Sequence, residues 1–93
     1  METLLVFLKV NIGMSIDGTE SYNARLIAII EQAKQEITQK GITLDATSAK
    51  DNGLVVDYAT WLWLRRRDNT GMPIGLRKRL NDRLFAEKMH VEG

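Results

Sequence analysis

Cysteine is absent from this 93-residue chain. That excludes disulfide staples, thiolate zinc sites and cysteine nucleophiles, and it fits a reducing compartment. Histidine occurs once, as His90. A lone imidazole three residues from the last position reads as a solvated side chain rather than a general base. Proline also occurs once, as Pro73, so there is no proline-rich linker. Aromatic residues make up 6% and are not interleaved with the basic ones, which removes the stacking platform of a single-strand binder. Long apolar runs are missing too. Residues 4–8 are apolar, but Glu2 precedes them and Lys9 follows. A secretory leader needs a basic start and a longer run, and a membrane span needs about 20 apolar residues. The chain is therefore expected to be soluble and intracellular. No His/Asp/Glu group has metal-ligand spacing, and no glycine-rich loop follows a strand. The expectation is a non-enzymatic protein with no catalytic residues, metal or cofactor.

What is present is ordinary globular chemistry, 44% hydrophobic and 27% charged. The length suits one domain, residues 1–93, which hides only about 60–65% of its unfolded surface on folding. Such a core is thin, and a partner subunit would add burial. Net charge is +1 but unevenly spread. Residues 1–46 hold four basic and six acidic side chains, whereas residues 47–93 hold nine basic and six acidic. Within residues 65–83 the count is seven basic to two acidic. This asymmetry suits a polyanion-facing surface or a complementary protein partner.

Four segments carry periodicity. Residues 3–12 read as a short helix ended by Gly13. Leu8, Val10 and Ile12 also alternate with Lys9 and Asn11 at strand period, but no second strand appears to pair with them. Asp17 and Glu20 form an N-cap and N3 pair opening a helix of about 20 residues. Its apolar stripe is Tyr22, Leu26, Ile29, Ile30, Ala33 and Ile37, with Gly41 at the left-handed stop. A third helix runs to Arg67, capped either by Ser48 with Asp51 or by Asn52. It is apolar on more than one face: Leu54, Val55, Tyr58 and Leu62 form one stripe, and Val56, Ala59 and Trp63 another. Such a helix is central, or covered on its outer side by another chain. Pro73 suits the first position of a fourth helix, with Leu76, Leu80 and Leu84 as its stripe, extended by Phe85 and Met89. Residues 90–93 are expected to fray. The fold class is a small all-α bundle of about four helices, two of them long.

The residues that invite a functional reading are few. Asp57 interrupts an apolar run and suits a salt bridge to an arginine. Glu31 and Glu36 sit on a polar helix face, where carboxylates solvate. Trp61 and Trp63 diverge by about 100° on their helix, so each is either core or an interface anchor. With Arg66 they form a candidate subunit interface. Arg65, Arg67, Arg77, Lys78, Arg79 and Arg83 form a candidate basic surface. It is either solvated, or facing an acidic neighbour, or in contact with DNA. A small DNA-binding regulator using residues 65–83 is the alternative function.

The order of these motifs resembles the head–tail connector (DNA-packaging adaptor) proteins of tailed bacteriophages. The likeness lies in Leu8-Lys9-Val10-Asn11-Ile12 with the acidic turn at Asp17, and in the helix from Leu26 through Ile30, Ala33 and Ile37 to Gly41. It is strongest in Asp57-Tyr58-Ala59, Leu62 and Arg65-Arg66-Arg67, followed by Met72-Pro73, Leu76-Arg77, Leu80-Asn81 and Leu84. It covers most of the chain and is weakest over residues 42–52. The resemblance implies a helical subunit of a homo-oligomeric ring beneath the portal protein. Such a ring extends the DNA channel and presents a docking surface for a tail-side adaptor. It also implies only transient, non-specific DNA contact, no membrane partner, and a place at the virion neck or in the bacterial cytoplasm during assembly.

Overall fold

The computed structural model describes the backbone of residues 2–68 and 71–92, and the side chains of residues 3–65 and 71–89. The chain is all-α. Helices α1 (Glu2–Asn11), α2 (Asn23–Gln39), α3 (Ala49–Asp68) and α4 (Ile74–Glu92) follow in order, with a single 3-10 turn at Glu20–Tyr22 before α2. No strand occurs among the described residues. Three helices are long, at 17, 20 and 19 residues, where two were expected.

Helix α3 is the centre of the bundle. α2 packs along it, α1 packs against both, and α4 lies on α3 from another side. That arrangement explains the many-sided apolar pattern of α3: Leu54, Val55, Val56, Tyr58, Ala59 and Leu62 are all buried. They meet Leu8 of α1, Leu26, Ile30 and Ile37 of α2, and Ile42 of the following loop in one core cluster. Each large aliphatic side chain buried there contributes about 1.5–3 kcal/mol before the cost of ordering it.

The local signals were partly misplaced. In α1 the strand-like alternation would group Val10 with Leu8. The helix instead turns Leu8 and Lys9 inward and Val10 outward, so Lys9 is 3% exposed and Val10 60%. Asp17 does not cap α2. Gly18 takes a positive φ of 78° and turns the chain, Thr19 Oγ1 donates to the Ser15 carbonyl at 2.5 Å, and α2 begins only at Asn23. The far end follows the sequence: Gly41 has φ 102°, and the Lys40 and Gly41 amides donate to the carbonyls of Ile37 and Thr38. At α3 the first of the two capping alternatives holds. The Asp51 amide donates to Ser48 Oγ at 3.3 Å, and Gly53 lies inside the helix. The Pro73 carbonyl accepts the Arg77 amide at 3.0 Å, so Pro73 stands one position before α4 rather than within it. α4 continues through Glu92, past the expected fraying point. Phe85 and Met89 do not extend the buried stripe. Phe85 is nine residues from Leu76, which at 100° per residue places it on the opposite side of the helix, and it is 66% exposed.

Candidate interaction surface

The face of α3 that no helix covers carries Gly53, Asp57, Thr60 and Leu64, spaced three and four apart. Asp57 is the junction of three helices. One carboxylate oxygen accepts Asn11 Nδ2 of α1 at 3.3 Å, and the other pairs with the Arg79 guanidinium of α4. Asn11 also donates to Thr60 Oγ1 at 3.3 Å. α1 and α4 therefore flank the open face of α3 from its two sides. The salt bridge that the position of Asp57 suggested is present.

Two grooves adjoin at Asp57. One, of about 440 Å³, lies between α1 and the start of α3, with Phe7 and Val10 as its apolar wall. The other, of about 500 Å³, lies between the end of α3 and the start of α4, lined by Trp61, Leu64, Pro73 and Leu76. A Cβ at Gly53 would sit 3.4 Å from Nη2 at the flexible end of Arg79, an ordinary contact.

A polar seam joins α4 to the loop before α3. Arg83 Nε donates to Asp51 at 2.8 Å, its Nη2 donates to the Thr43 carbonyl at 2.6 Å, and its Nη1 lies 3.5 Å from Glu87. The Asp45 amide donates to Asp51 at 2.9 Å and the Thr43 amide to Glu87 at 2.6 Å. The Arg83 bond holds the Asp51 carboxyl below the usual carboxylate range, against the opposing effect of burial, and Asp51 in turn raises Arg83. On the other side of the bundle Tyr58 donates to Glu36 at 2.8 Å. Burial first, and that bond second, push the phenol well above its ordinary value. Glu36 is thus a half-buried acceptor rather than a solvated carboxylate. Glu31 keeps to the exposed face, 3.9 Å from Lys34.

The candidate residues separate into groups. Trp61 and Trp63 are both half-buried and packed against the core, so neither is fully enclosed even on a central helix. Trp61 meets Tyr58 edge-on at 5.4 Å, and the Arg65 guanidinium lies 4.8 Å from its ring centre, within cation–π range. Arg79 and Arg83 are engaged in ion pairs within the chain. Arg77 and Lys78 are exposed. The side chains of Arg66 and Arg67 lie outside the described residues. The described basic residues of 65–83 are therefore not one free surface, because Arg65, Arg79 and Arg83 are engaged within the chain. What sequence reasoning missed are the apolar outer faces of α1 and α4, with Phe7 52% and Ile74 87% exposed. The signal was available in α1, where Val6, Phe7 and Val10 fall outside the arc set by Leu4, Leu5 and Leu8.

Among the described residues no group of three or more His, Asp or Glu side chains is placed to hold a metal ion. Among the described residues no helix is long and apolar enough to cross a membrane. Comparison with protein-family models, with characterised proteins and with solved structures finds no match to this chain.

Proposed function

We propose that this chain is a structural subunit of a phage head–tail connector. Copies of it form a ring that docks beneath the portal protein, extends the DNA channel and joins head to tail. The observation that carries the reading is the motif order from Asp57-Tyr58-Ala59 through Arg65-Arg66-Arg67 to Met72-Pro73 and Leu80, set in an all-α bundle. Those residues build the central helix and its junction with α4. The surface around them is apolar and charged, as a docking surface requires. A DNA regulator would need residues 65–83 as a free basic face, and the ion pairs of Arg79 and Arg83 count against it.

The test is mass by light scattering, for the chain alone and mixed with any portal protein encoded in its gene neighbourhood. A defined multimer bound to the portal is the expected result. A chain whose gene has no portal or capsid neighbour, and which binds no portal, overturns the reading.

A further inference from the structure

The molecule has more surface than its mass requires. Its accessible area is 6217 Å², against roughly 5,500 Å² for a compact monomer of this size. Its radius of gyration is 13.7 Å, against about 12.3 Å for a compact chain of this length.

The exposed apolar residues on the two flanking helices are not scattered. On α1 they are Val6, Phe7 and Val10, turned away from the buried Leu4 and Leu8. On α4 they are Ile74, Phe85 and Met89, which fall within about 60° of one another at 100° per residue and opposite Leu76 and Leu80. Asn11 of α1 and Arg79 of α4 both reach Asp57, so the two stripes are separate patches carried by different helices on either side of that contact. Their charges are opposite. Beside the α4 stripe Lys78 and Lys88 outnumber Asp82, while Asp17 and Glu20 occupy the turn that follows α1; Lys78, Lys88, Asp17 and Glu20 are exposed and have no ion pair among the described residues.

We infer that the outer stripe of α4 docks on the α1 flank of a second copy of this chain, with Phe85 and Met89 against Phe7 and Val10 and the lysines toward the acidic turn. Because the two patches are different, the contact is heterologous and propagates from copy to copy instead of ending at a pair. The inference rests on the connector reading for the closure of that series into a ring; the docking itself does not need the portal.

The experiment uses two variants of the full chain, Phe85→Asp on the α4 stripe and Phe7→Asp on the α1 flank. Both sites are more than half exposed, and circular dichroism checks that each variant keeps the wild-type helix content. A second pair, Lys78→Glu and Asp17→Lys, serves if either aspartate variant loses that content. Analytical ultracentrifugation, without portal, follows self-association across concentration. Wild type should form oligomers larger than dimers, and each aspartate variant alone should weaken association by about 30-fold or more. Mixing the two leaves one intact α1 flank facing one intact α4 stripe and should yield a 1:1 dimer and nothing larger. A wild type that stays monomeric, a mixture that stays monomeric, or a variant that associates like wild type overturns the inference. Portal binding by wild type, measured separately, tells failure of the docking mode from failure of the connector reading.

Discussion

At the scale of single residues, Asp51 and Arg83 are the pair on which stability should depend most visibly. The Asp51 side chain is 5% exposed and that of Arg83 25%, so removing one partner leaves the other charge inside without compensation. Asp51→Ala is expected to cost about 3 kcal/mol in denaturant unfolding, and a loss below about 1 kcal/mol would show that the seam is dispensable. The pH dependence follows from the direction of the shift. Asp51 is held below its ordinary value of 3.8, so the folded state favours the ionised form. The stability it contributes is present above about pH 4 and is lost as pH falls through the folded value. Urea midpoints between about pH 6 and pH 2 should therefore fall more steeply for wild type than for Asp51→Asn. Tyr58 differs in kind, because its bond to Glu36 joins α3 to α2. Tyr58→Phe should lose about 1.5 kcal/mol, the usual contribution of a hydrogen bond to a charged group.

At the scale of elements, α2 is the most regular unit, and its burial follows its sequence stripe. Ile30 is 0% exposed. Ile30→Ala should destabilise by about 2–5 kcal/mol, and a change near zero would mean that the bundle closes over the cavity. Gly41→Ala should cost about 1–2 kcal/mol, since its φ of 102° is costly for any residue with a Cβ. These two positions were legible because they rest on local rules, three-and-four spacing for Ile30 and the helix stop for Gly41. Asp17 was misread for the opposite reason. Its capping pattern is equally local, but Gly18 takes the chain through a turn that spacing cannot reveal. Phe85 and Met89 were misread because stripe membership was judged by neighbouring leucines rather than by angle. The polar seam was not legible at all. Arg83 meets Asp51 across 32 positions, and Thr43 meets Glu87 across 44. Nothing in either local sequence marks its partner. Asp57 stood out only because it broke an apolar run.

The whole molecule is a thin body of 47 × 28 × 18 Å built on one central helix. Its basic half is divided: Arg79 and Arg83 are closed in ion pairs and Arg65 is laid on Trp61, and among the described residues Lys50, Arg77, Lys78 and Lys88 stay exposed without an ion pair. Affinity for free duplex DNA should accordingly be weak, blind to sequence and steeply dependent on salt. Nanomolar binding to one selected sequence at physiological salt would restore the regulator reading. The shared carboxylate of Asp57 has a further consequence. It fastens the first helix and the last to the same point of the third, although Asn11 and Arg79 are far apart along the chain. Amide protons of α1 and α4 should then exchange with solvent at matching rates, as parts of a single opening unit. In Asp57→Ala the unit should split, with each helix fraying on its own clock while amides of α2 keep the protection of the global fold.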